Sequence, residues 1–177
     1  MSNPGRSCAG CILPKLLDYK PERLVVSGFR CCMAGYEFGD IECWETGWRF
    51  YVGELGAGEA RSLMGELQYW VRSVRGETRR RIACFPHGCQ NVCHDECMAL
   101  SMISGIQDDR RDLAEFAASH LLGAANDTGP ERVSEAAAGY ATALKNLGLK
   151  LLPVPEDVIR NIAFQNGADC PARAAIH

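Results

Sequence analysis

Four of the ten cysteines and two of the four histidines of this chain fall between Cys84 and Cys97. The run reads C-F-P-H-G-C-Q-N-V-C-H-D-E-C, with gaps of four, three and three residues between successive cysteines. Thiolates are soft ligands for zinc, copper(I) and iron–sulfur clusters, and imidazole joins them on zinc. Paired zinc ligands are usually separated by two to four residues. The expected site is therefore Cys84, Cys89, Cys93 and Cys97, with His87 and His94 beside them, holding a zinc ion or an iron–sulfur cluster.

Helix geometry restricts how such a site is built. Cys89, Cys93 and Cys97 recur at every fourth residue, a step that turns by only about 40° on a helix. On one straight helix they would form a row about 12 Å long, at roughly 1.5 Å per residue, which one ion cannot span. Metal binding thus requires Phe85-Pro86-His87-Gly88 to be a loop, with the helix starting near Asn91 as its N-cap. Cys84 and Cys89 would then come from the loop, and Cys93 and Cys97 from the first turns. Two other readings compete. Cysteine packs as a small hydrophobe, and Cys93 and Cys97 run in line with Leu100 and Ser101. Alternatively a thiol with a depressed pKa, near the helix start and His94, serves redox or nucleophilic chemistry.

The run resembles the four-cysteine motif of the NifQ molybdenum-donor proteins over about a dozen residues. In those proteins the gaps are four, two and five and the motif lies near the C-terminus. Only the first gap is shared, so no fold, activity or residue role is carried over.

Other constellations are weaker. Cys8-Ala-Gly-Cys11 is a C-x-x-C pair on a Gly/Pro-bearing arm, without the strand-to-helix context of a redox pair. It could complete a site with Cys93 and Cys97. Cys31 and Cys32 are adjacent and point in different directions on a helix, and Cys43 and Cys170 read as isolated. Glu37, Asp40, Glu42 and Glu45 read as an exposed acidic helix start. Arg72, Arg75, Arg79, Arg80 and Arg81 form a basic run that reads as a solvated face, with phosphate binding as the alternative. His120 reads as a core histidine. There is no P-loop, dinucleotide-binding glycine motif, nucleophile elbow or His-Glu-x-x-His zinc signature.

The elements that must position these residues are helical. Pro21 and Glu22 suit a first turn; the Val25–Val26 pair leaves a short strand as an alternative there. Asp40 caps a helix in which Ile41, Trp44, Trp48, Tyr51, Val52 and Leu55 recur at three- and four-residue steps. A second stripe, Leu63, Leu67, Trp70, Val71 and Val74, runs from about Gly58 to Arg75, and the short glycine link predicts an antiparallel hairpin. Further helices carry Leu100, Ile103 and Ile106; Leu113 to Leu121; and Val133 to Leu147, stopped by Gly148. After an apolar connector, Pro155 and Glu156 open a last short helix. The expected fold is all-α, an irregular bundle of six or seven helices. Residues 1–20 read as an irregular N-terminal arm, 21–164 as one helical domain and 165–177 as a loose tail.

Composition narrows the function classes. The 177 residues are 47% hydrophobic and 23% charged, with a net charge of −3. Nothing in that balance calls for nucleic acid or an anionic membrane. No apolar run approaches the roughly 20 residues that cross a bilayer, and no export signal is apparent. The expected location is the cytoplasm, where thiols stay reduced. Three functions remain: a zinc or iron–sulfur protein with a structural, regulatory or metal-handling role; a helical interaction or dimerisation module, with a protein partner or a second copy, whose cysteines are core residues; and a thiol-dependent enzyme or redox protein.

Overall fold

A computed structural model describes residues 15–123 and 128–164. They form a short 3-10 turn, Leu16–Asp18, and seven α-helices, with no strand among the described residues. The all-α expectation holds. The helices are α1 (Lys20–Phe38), α2 (Ile41–Leu55), α3 (Ala57–Glu77), α4 (His94–Gln107), α5 (Arg111–Leu122), α6 (Gly129–Asn146) and α7 (Glu156–Phe164). None is long and apolar enough to cross a membrane. Cys8, Cys11 and Cys170, with the arm before residue 15 and the tail after 164, lie outside the described residues.

The chain starts and stops its helices where local chemistry directs. Pro21 sits in the first turn of α1, where its missing N–H costs nothing. The Val25–Val26 pair is helical, because both side chains are buried against neighbouring helices and packing overrides β-propensity. Asp40 caps α2 by accepting from the Glu42 N–H at 2.9 Å. Between α2 and α3 the link shortens to Gly56 alone, at φ 88°, a conformation that glycine adopts without strain. Gly148, at φ 71°, closes α6 as expected.

α4 is the central helix. Twelve of its 14 residues are buried, so it has no exposed face of the amphipathic kind. It packs against α1, α5, α6 and α7. α1, α2, α3 and α6 enclose an aromatic centre. Trp70 stacks on Tyr140 at 5.7 Å, and Phe29 tilts against it. The Tyr51 and Tyr140 hydroxyls meet at 2.7 Å, and Tyr51 donates to the Leu24 carbonyl at 2.9 Å. α1 and α2 lie close enough that a Cβ at Gly35 would fall 2.5 Å from the Trp44 ring.

The connector after α6 is tied down by buried polar side chains. The Gln107 amide donates to the Leu149 carbonyl and accepts from the Leu151 N–H, and Glu22 accepts from the Leu152 N–H. These bonds satisfy backbone groups that no helix or sheet serves.

Candidate functional site

The segment between α3 and α4, residues 78–93, has no regular structure. Its backbone groups need other partners, and two carboxylates at the start of α4 supply several. Asp95 binds the Arg80 guanidinium at 2.6 and 2.8 Å and accepts from the Ala83 N–H at 2.7 Å. Glu96 binds the Arg30 guanidinium at 2.7 and 2.9 Å and accepts from the N–H groups of Phe85 and Cys93. Arg30, held within α1, also donates to the carbonyls of Cys89 and Asn91. Both acids lie at the positive end of a helix. Burial alone would raise the Asp95 carboxyl, but Arg80, His94 and the Ala83 N–H outweigh it and hold it down at about 2.

The six expected metal ligands take separate places in this frame. Pro86 and Cys89 close a turn (N–H to carbonyl, 2.9 Å), so the expected loop is present. The helix begins at His94, however, and its N-cap is Cys93 rather than Asn91; the Asn91 carbonyl is taken by Arg30. The Cys93 sulfur accepts from the Glu96 backbone N–H while the Glu96 side chain accepts from the Cys93 N–H, a capping box with a thiol in the place of a hydroxyl. Its S–H donates to the Ala83 carbonyl at 3.2 Å. Cys97 is buried in the core cluster. Cys89 is half-buried. His94 Nδ1 lies 3.1 Å from Asp95 Oδ1. Among the described residues, no three His, Cys, Asp or Glu side chains are gathered as a metal ion would need.

Cys84 and His87 instead face a cleft of about 500 Å³. One wall is α1, with Cys31, Ala34 and Glu37; a second is the start of α2, with Asp40, Glu42 and Cys43; the third is the segment from Arg81 to His87. Cys31 Sγ lies 3.3 Å from His87 Nδ1, and the His87 ring also packs edge-on against Phe50. Burial, followed by the neighbouring Cys43, pushes the Cys31 thiol up to about 11. Burial also raises Cys84 well above the ordinary thiol range, with Glu96 and Asp95 adding to it. His87 is lowered by burial and then by Arg30. The pair is thus a neutral thiol beside a neutral imidazole. A nucleophilic thiolate needs a shift in the opposite direction.

Arg72, Arg75, Arg79 and Arg81 of the basic run are exposed, and Arg80 alone is half-buried. Arg75 lies over the Tyr36 ring, Arg80 is bound to Asp95, and Arg81 pairs with Glu37 across the cleft mouth. His120 is half-buried, between Phe116 and Phe164. Cys31 and Cys43, which read as unconnected in the sequence, line one cleft with His87 through the α1–α2 packing and the docking of the 78–93 segment onto Arg30. The small residues Gly28, Cys32 and Gly35, which predict a close neighbour for α1, were the available signal. Comparison with family models, curated proteins and solved structures finds no match for this chain.

Proposed function

We propose that this chain is a helical binding protein that receives its ligand or partner in the cleft between α1, the start of α2 and the 81–87 segment. The observation that supports this reading is the cleft itself. Its volume of about 500 Å³ lies within the roughly 300–1,000 Å³ typical of ligand sites. Its sides are apolar at Met33, Ala34, Ile82 and Phe85, with a few charged and thiol groups among them. The cysteines of the 84–97 run then serve the cleft (Cys84), the cap of α4 (Cys93) and the core (Cys97). Nile red, a neutral apolar dye, tests the reading. One equivalent should bind the full chain, and Ala34→Trp, which fills the cleft from α1, should abolish binding without lowering the melting temperature. Absence of dye binding by the monomeric chain, or binding undiminished in the variant, would overturn it.

Metal binding is the second reading, favoured by the Cys31–His87 contact of 3.3 Å. With metal–ligand bonds of about 2.0–2.3 Å, neighbouring S and N ligands on tetrahedral zinc lie roughly 3.5 Å apart. Cys43 and Cys84 line the same cleft and would have to swing inward to complete the set. This ligand set differs from the row along Cys84–Cys97. Protein prepared without oxygen should then carry one zinc or one iron–sulfur chromophore, lost in Cys31→Ser and His87→Gln but kept in Cys93→Ser. Elemental analysis and an absorption spectrum without metal or chromophore would remove this reading.

A further inference from the structure

We propose that the cleft's partner is a cationic amphipathic peptide segment, an arginine or lysine beside an apolar anchor residue. This rests on the cleft being the binding site. The charges of its walls favour a cation. Arg30 is committed to Glu96 and Arg81 to Glu37, so the basic lining groups are neutralised within the chain. On the acidic side, Asp40 uses one oxygen as the cap of α2. Among the described residues, neither Asp40 nor Glu42 has an ion-pair partner. The charge left over at the mouth is negative.

Arg81 shows how a guanidinium fits there. Its side chain, 61% exposed, reaches from the loop to Glu37 of α1, itself 33% exposed. It is an internal stand-in for a ligand cation, in a position solvent can reach and a competitor can take. Apolar surface continues outward from the same place. Phe38, on the cleft wall, is 56% exposed, and Ile41, next to Asp40 in the chain, is 72% exposed. A peptide can therefore set an apolar side chain against Met33, Ala34 and Ile82 while its cation meets Asp40, Glu42 or, after displacing Arg81, Glu37.

The test is fluorescence anisotropy on the full chain with three labelled synthetic peptides of equal length. One carries arginine and leucine, one has glutamate in place of arginine, and one has serine in place of leucine. The first should bind about tenfold or more tightly than either other, and added salt should weaken it as charge screening requires. Asp40→Asn with Glu42→Gln should weaken binding about tenfold; asparagine caps a helix as well as aspartate, so α2 is kept. Arg81→Gln should tighten binding severalfold by freeing Glu37. Equal affinity for the three peptides, or unchanged affinity in Arg81→Gln, would overturn the proposal. Nile red binding without any peptide preference leaves the cleft reading standing and sinks this one. Absence of binding to both sinks both. A concentration-dependent mass that the peptide does not disturb, with the dye excluded, would assign the cleft to a second copy of the chain and also overturn it.

Discussion

Arg30 of α1 and Glu96 of α4, 66 residues apart in sequence, meet through two hydrogen bonds of 2.7 and 2.9 Å. Both side chains are almost wholly shielded from solvent. A buried pair gains little over apolar residues of similar size, but removing one partner strands the other and costs about 3–5 kcal/mol. Glu96→Gln should therefore destabilise the fold by that amount in urea denaturation. The usual remedy of replacing both partners should fail here. Arg30 also serves the Cys89 and Asn91 carbonyls, and Glu96 serves the Phe85 and Cys93 N–H groups. Arg30→Met with Glu96→Leu would leave those groups without partners, so the double variant should be no more stable than either single. Recovery of most of the loss would show that the loop does not depend on the pair.

Cys93 tests whether the cysteine run is structural. Its sulfur fills an N-cap position, where serine is preferred. Cys93→Ser should thus change stability by less than about 0.5 kcal/mol, while Cys93→Ala should cost about 1 kcal/mol. A metal ligand would behave otherwise: both variants would lose stability equally, and a chelator would erase the difference from the parent chain. Thermal melts of the three proteins with and without chelator separate the two cases.

The helices were legible because their signals are local. Asp40, Pro21, Gly148 and the three- and four-residue apolar steps act within a turn or two, and the structure follows them to within a few residues. The loop before α4 was also legible, since Pro86 and Gly88 and the impossibility of one ion spanning a straight row both call for a bend. What the cysteines do was not. Cys93 at N-cap and Cys97 in the core have the spacing of ligands, yet their roles depend on Ala83 and on helices far along the chain. The cleft was hidden for the same reason. Cys31, Cys43 and His87 converge only after α1 and α2 pack and after Arg30 has drawn in the loop from 57 to 61 residues away. Arg80 and Arg81 looked like part of one basic surface, but the partners that separate them, Asp95 and Glu37, lie on different helices.

Thiol reactivity should follow burial. Cys32 is fully buried and its thiol is pushed up to about 12 by burial and then by Cys31. Cys43 is only half-buried. In native protein treated with iodoacetamide at pH 8, Cys43 should be alkylated well before Cys31 and Cys32, by peptide mass mapping. Cys32 should react only after denaturant is added. Rapid native labelling of Cys32 would mean that α1 opens away from its neighbours.

Acid should remove the Asp95 contribution within a defined window. The carboxyl is held at about 2 in the folded protein, against an ordinary value of about 3.9. A depressed carboxylate stabilises the fold fully above its unfolded pKa and loses that contribution as pH falls through the folded one. The shift corresponds to about 2.5 kcal/mol, present above about pH 4 and lost on approach to pH 2. His87, lowered by burial and Arg30, acts at higher pH with the same sign. It is neutral in the fold, so acidification below its ordinary value of about 6.5 costs stability as the unfolded chain takes up the proton first. Urea midpoints measured from pH 7 downward should therefore fall in two stages. His120 is lowered by burial as well and shares the first stage, so His87→Gln should shrink that stage rather than remove it. The advantage of the parent chain over Asp95→Asn should persist to about pH 4 and close towards pH 2. An advantage independent of pH across that lower range would show that the ionised carboxylate is not what anchors Arg80 and the Ala83 N–H.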